Sequence, residues 1–188
     1  ESVDLATILS ESLKYSINNM FDGKYFSNFV RQYFPTKEVF LQAKSDWSKL
    51  SSSQTISNDF MGFLNEYFFR ININLNDADQ FIFGNEKGSA LKMLILFQEI
   101  ILNAVKYSAY VNRSERQLTI KVSHDSNNLT ITVENVFKEN IKAKTTGIGH
   151  IILENFANLL HTKPVITTKN NIYSVEIKFA NFWETRSK

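Results

Sequence analysis

Glu99, Asn103 and Lys106 stand at positions i, i+4 and i+7 of a stretch that is otherwise apolar nearly all round. In a helix that spacing stacks a carboxylate, an amide and an ammonium along one stripe. The surrounding residues are Leu91, Met93, Leu94, Ile95, Leu96, Phe97, Ile100, Ile101, Leu102, Ala104 and Val105, and a helix of that composition is buried. Asn is a weak former of helix interiors, and burying an unpaired carboxylate or amide is costly. The stripe therefore reads as the floor of a polar site. An amide oxygen suits Mg²⁺, which prefers hard oxygen ligands and keeps several waters. A carboxylate one turn earlier suits orienting or deprotonating a water or a hydroxyl. The lysine suits a phosphate. A plainer reading stays open on pattern alone: an amphipathic helix with Glu99 and Lys106 in solvent and Asn103 between them.

A second candidate is Thr145-Thr146-Gly147-Ile148-Gly149, which precedes a predicted helix over Ile151–Leu160. Two glycines one residue apart let the backbone approach a ligand closely, and a helix N-terminus offers free N–H groups to phosphate. The same pattern also fits a tight turn into a packed helix. The polar stretch Val136–Thr146 before it carries Lys138, Lys142 and Lys144. It reads either as a cover over phosphates or as a solvated basic loop.

The elements that must position these residues follow from periodicity. Residues 1–69 read as helices: Val3 to Ile17 at helical spacing, a short pattern through Phe26, Phe29, Val30 and Tyr33, a helix over Lys37–Leu50 capped by Thr36, and another over Ser57–Phe69. Residues 70–188 are mixed. A strand over Arg70–Leu75 leads to a loop ending near Gly88-Ser89, then the long helix Ala90–Tyr110. Strands over Gln117–Ser123 and Leu129–Asn135 follow, then the lid-like stretch, the helix, and strands over Pro164–Thr168 and Ile172–Phe179 around the turn Asn170-Asn171. This order predicts an α+β fold, a two-layer α/β sandwich with helices on one face of a mostly antiparallel sheet. The division expected is a helical N-terminal region, 1–69, before a mixed domain, 70–188. The aromatic residues Tyr25, Phe26, Phe29, Tyr33, Phe34, Phe40 and Trp47 read as core, or as a partner surface.

Glu99-Ile-Ile-Leu-Asn103-Ala104-Val105-Lys106-Tyr107-Ser108 resembles the N box of the GHKL ATPases in the form used by sensor histidine kinases. The Gly147-Ile148-Gly149 turn resembles the family's second glycine box, with His150 where Leu is usual. The order of boxes and elements matches too. The resemblance covers roughly residues 70–180 and implies the Bergerat, or GHKL-type, ATP-binding fold. It implies that Asn103 holds a magnesium bridging nucleotide phosphates and that Glu99 is the catalytic or water-orienting carboxylate. Lys106 and Tyr107 would line the nucleotide pocket, with Thr145, Thr146, Gly147, Ile148 and Gly149 at its lid side. The family's adenine-reading Asp-x-Gly-x-Gly is absent, and Val133-Glu134-Asn135-Val136-Phe137 stands in its place. Leu129, Ile131, Val133 and Asn135 share one face of a strand, so Asn135 rather than Glu134 takes the base-reading position. Its amide oxygen accepts the same hydrogen bond without the charge.

The resemblance implies ATP and Mg²⁺ as ligands and transfer of the γ-phosphoryl group to a histidine. The three histidines, His124, His150 and His161, all lie outside residues 1–69. The phosphoacceptor is therefore expected elsewhere, on a histidine-containing dimerisation domain, with a response regulator beyond it. A homodimer through the N-terminal helices is a further expectation. Two other readings stand beside this one: a degenerate, non-catalytic module of the same fold, favoured by the missing adenine box, and a hydrolytic GHKL enzyme.

Composition sets outer bounds. The chain has 188 residues, 43% apolar and 21% charged, which reads as globular. A net charge of +2 is not built for nucleic acid or anionic lipid. The absence of cysteine excludes disulfides and thiolate metal sites. No apolar run reaches spanning length, and no signal peptide opens the sequence. A cytoplasmic fragment of a larger protein is the expectation, since the first residue is Glu rather than Met.

Overall fold

A computed structural model describes residues 2–22, 28–50, 56–84, 89–139, 148–180 and 184–185. The chain enters through a two-residue strand β1 (Val3–Asp4) and helix α1 (Leu5–Asp22). Asp4 caps α1 by accepting from the Thr7 N–H at 2.8 Å. Three helices follow: α2 (Asn28–Tyr33), α3 (Lys37–Leu50) and α4 (Asn58–Tyr67). The α3 boundary is the predicted one, and the Thr36 hydroxyl accepts from Val39 N–H at 3.2 Å as its cap. Ser57 does the same for Phe60 at 3.1 Å at the head of α4.

The remainder runs β2 (Arg70–Asn74), β3 (Phe81–Phe83), α5 (Ser89–Ser108), β4 (Gln117–His124), β5 (Asn128–Val136), α6 (Ile148–Leu159), β6 (Val165–Lys169), β7 (Ile172–Ala180) and β8 (Glu184–Thr185). Strands β2-β4-β5-β7-β6 form one sheet in that order; β2 and β4 are parallel and the other pairs antiparallel. The predicted α+β sandwich is the architecture found. Ile120, Val133 and Val175 stand in register across three strands, as do Val122, Ile131 and Ile177. All six are buried, because strand alternation sends them to the face covered by α5. The β6–β7 turn places Asn170 and Asn171 at φ 52° and 61°, the left-handed values a two-residue hairpin turn needs and Asn tolerates.

Two expectations are corrected. The stretch expected as a loop up to Gly88-Ser89 contains strand β3, which joins β1 and β8 in a second, three-stranded sheet. Three residues with side chains fixed by tertiary pairing carry too short a pattern to read. The helix expected from Ile151 begins at Ile148, so Gly149 lies inside its first turn rather than ahead of it.

Helix α1 packs along α5 and belongs to the same core as the sheet. Its far end carries Phe21, around which Phe34, Phe40, Trp47, Phe63 and Phe68 gather at ring separations of 5.7, 5.7, 6.4, 6.2 and 6.0 Å. Most of the aromatic residues singled out above are thus core; Tyr25 and Phe26 lie outside the described residues.

Candidate nucleotide site

Helix α5 presents Glu99, Asn103, Lys106 and Tyr107 as half-buried residues, while Ile100, Ile101, Ala104 and Val105 between them are buried. The polar stripe therefore borders the core and is partly screened from solvent. The Asn103 Nδ2 donates to Glu99 Oε1 at 3.1 Å, one helical turn away. This bond fixes the amide's orientation. It uses the N–H side and leaves Oδ1 as the atom available to a cation.

Helix α6 arrives directly over this pair. A Cβ placed on Gly149 would collide with Glu99 Oε1 and would lie 3.4 Å from Asn103 Nδ2. Only glycine lets the first turn of α6 rest on the carboxylate–amide pair. The structure thus brings together two residues 50 positions apart in sequence, Glu99 and Gly149. Of the other lid-side candidates, Ile148 opens α6. Thr145, Thr146 and Gly147, with Lys142 and Lys144, lie outside the described residues.

Asn135 occupies the core face of β5, in register between Leu118 of β4 and Tyr173 of β7. It is only 2% exposed. Its Nδ2 donates to the Val136 carbonyl at 3.0 Å, while its Oδ1 is buried with no hydrogen-bond partner. A buried acceptor left unpaired costs roughly 1–3 kcal/mol, so such an atom calls for an explanation. A ligand N–H is one.

The surroundings of Asn135 are aromatic. Tyr173 lies 6.3 Å from Tyr107 and 6.1 Å from Phe137, ring to ring. Phe137 is held by its N–H donating to Asn171 O at 2.9 Å, at the tip of the β6–β7 hairpin. Burial raises the Tyr107 phenol above its ordinary pKa, with Tyr110 adding to the effect, and burial followed by Tyr107 raises that of Tyr173. Both rings therefore stay neutral at physiological pH. Tyr173 was not singled out from the sequence, and Phe137 was named there only as the end of the segment in place of the adenine box. Their alternation was legible, but which residue stands opposite Asn135 depends on strand register.

At its C-terminal end α5 is tied down by Arg116. The guanidinium donates to Val111 O (2.9 Å), Ala109 O (3.0 Å) and, across the chain, Gln32 O (3.1 Å), and it stacks 4.8 Å from the Tyr33 ring. The Tyr33 hydroxyl donates to Val105 O at 2.5 Å. Lys106 Nζ lies 5.5 Å from the Phe29 ring centre. These contacts from α2 had no sequence signal beyond an aromatic count.

Among the described residues, no three His, Cys, Asp or Glu side chains are grouped to hold a metal. The protein's own offer to a cation here is one amide oxygen and one carboxylate. That suits Mg²⁺ drawing its remaining ligands from phosphates and water.

No family model and no curated protein matches the sequence. Among solved structures, the chain is similar to the mycobacterial sensor histidine kinase MprB, with a TM-score of 0.50 and 9% identity over 98% of this chain and 99% of that one. The chain shares its α+β, GHKL-type fold with this sensor histidine kinase. The catalytic domain of histidine kinase ThkA aligns at TM-score 0.49 and 10% identity, over 96% of this chain and 97% of that one. The blue-light activated histidine kinase EL346 of Erythrobacter litoralis aligns at 0.48 and 14%, over 91% and 59%. In this fold, α5 is the helix that carries the N-box-like stripe and α6 the helix whose first turn holds Gly149. No helix among the described residues is long and apolar enough to cross a membrane.

Proposed function

We propose that this chain is the ATP–Mg²⁺ binding catalytic domain of a sensor histidine kinase, which passes the γ-phosphoryl group of ATP to a histidine on a separate helical domain. The observation that carries the reading is the Glu99–Asn103 pair, hydrogen-bonded and capped by the glycine turn of α6. A carboxylate and an amide beside a helix N-terminus suit a polyanion held through a hard cation. Magnesium with the triphosphate would lower the charge on the transferring group. Asn103 Oδ1 would ligate that cation. Glu99 would hold Asn103 in place and orient the attacking imidazole. Asn135 Oδ1 would accept from the adenine amino group, and Tyr107 and Tyr173 would border the base.

The phosphoacceptor domain, a response regulator, pairing through the N-terminal helices and a cytoplasmic setting belong to the same proposal. A second reading, a non-catalytic nucleotide or partner module, is favoured by one observation: the base-reading position is a neutral amide, where a carboxylate would bind the amino group more strongly.

Calorimetry of ATP with and without Mg²⁺ separates the two. The kinase reading expects Mg²⁺-dependent binding that Asn103→Ala makes Mg²⁺-independent. Unchanged binding in that variant would remove the metal assignment. Absence of binding at millimolar nucleotide would favour the non-catalytic module. Labelled ATP with a histidine-bearing hairpin domain then tests transfer.

A further inference from the structure

We propose that α2 is a positioning element of the nucleotide site and that Phe29 sets the resting place of the Lys106 ammonium. The inference rests on reading the α5 stripe as nucleotide-facing. Helices α2 to α4 lie between α1 and β2 in the chain, so this contact comes from a segment that precedes the five-stranded sheet in sequence.

Three tethers fix α2 against the end of α5. Tyr33 donates to Val105 O, Arg116 donates to Gln32 O, and the Arg116 guanidinium stacks on the Tyr33 ring. Phe29 precedes Tyr33 by four residues and so shares its helix face. That geometry delivers the Phe29 ring to Lys106 Nζ at 5.5 Å. Lysine is a point charge on a flexible stem and needs a partner to hold one position. Glu99, the carboxylate of the same stripe, is engaged by Asn103. An aromatic face attracts the ammonium without neutralising it. A carboxylate in the place of Phe29 would fix the lysine and also cancel its charge. With phenylalanine there, Lys106 is held at the rim of the site with its full charge available to a phosphate.

The test uses the full chain with ¹³C-labelled lysine. In the wild type, the Lys106 Hε resonances should lie upfield of ordinary lysine values because of the Phe29 ring current. Phe29→Leu, which keeps an apolar side chain, should return them to ordinary values and weaken Mg-ATP binding about three- to fivefold. Phe29→Tyr should restore both. In a Lys106→Met background, adding Phe29→Leu should produce no further loss of affinity. Hε resonances unmoved by Phe29→Leu, or full affinity in that variant, would overturn the positioning role while leaving the nucleotide reading intact. A wild type that shows the upfield shift and binds no Mg-ATP would overturn the nucleotide reading, and the positioning role with it.

Discussion

Gly149, in the first turn of α6, lies so close to the Glu99 carboxylate that no side chain fits between them. The contact links the two sequence boxes physically and makes a sharp test. In Gly149→Ala the added methyl meets the far end of a side chain that can rotate away. Alanine is also favoured over glycine inside a helix by about 1 kcal/mol. The fold should therefore survive with an unchanged or higher melting temperature. Glu99 should swing out and release Asn103 Nδ2. Phosphotransfer should fall by about tenfold or more, as expected when a reacting group is misplaced. Melting curves alongside turnover check this; wild-type turnover would show that Glu99 need not hold its observed position.

Asn135 combines near-complete burial with an unpaired oxygen. Replacing it by leucine removes that orphan acceptor and loses the bond to Val136 O. The two effects offset, so stability should change by no more than about 1 kcal/mol. Nucleotide affinity should fall by about tenfold, the worth of a good buried hydrogen bond. Denaturant unfolding with parallel calorimetry would detect the split. Equal losses in both would mean that Asn135 serves the fold and not a ligand.

Arg116 serves three carbonyls from two segments with a planar fork. Lysine cannot reproduce that geometry. Arg116→Lys should destabilise the protein by about 2–4 kcal/mol, because buried carbonyls at the end of α5 are left without donors. Urea denaturation measures this. A change below about 0.5 kcal/mol would show that the tethers between α2 and α5 contribute little.

The α3–α4 contact predicts a pH dependence. Tyr67 donates to Asp46 Oδ2 at 2.7 Å. That bond, then burial, pushes the Tyr67 phenol up to about 12, and the same bond is the main reason the Asp46 carboxyl lies below its ordinary value. A raised folded-state pKa means that the tyrosine's contribution is complete below the ordinary value of 10.0 and is lost as pH climbs through about 12. A lowered one means that the aspartate's contribution is present above the ordinary carboxylate value and is lost as pH falls through the folded value. Stability should decline at both extremes, and Tyr67→Phe should flatten both limbs. Denaturation midpoints across pH test this; curves that run parallel in the two proteins would count against the coupling.

Much of the arrangement was legible in one dimension because it depends on period and local chemistry. Helical spacing placed Glu99, Asn103 and Lys106 on one stripe. Strand alternation turned Asn135 inward and Glu134 outward, as the burial pattern of β5 confirms. The Thr36 hydroxyl marked the start of α3. The rest required the folded chain, because it consists of contacts between residues far apart in sequence. Gly149 gains its meaning from the carboxylate beneath it. Tyr173 gains its place opposite Asn135 from the register of β5 and β7. Strand β3 exists as pairing with β1 and β8. Phe29 meets Lys106 because Tyr33 and Arg116 fasten a remote helix to α5. Sequence periodicity decides which way a side chain faces; only tertiary packing decides what it faces.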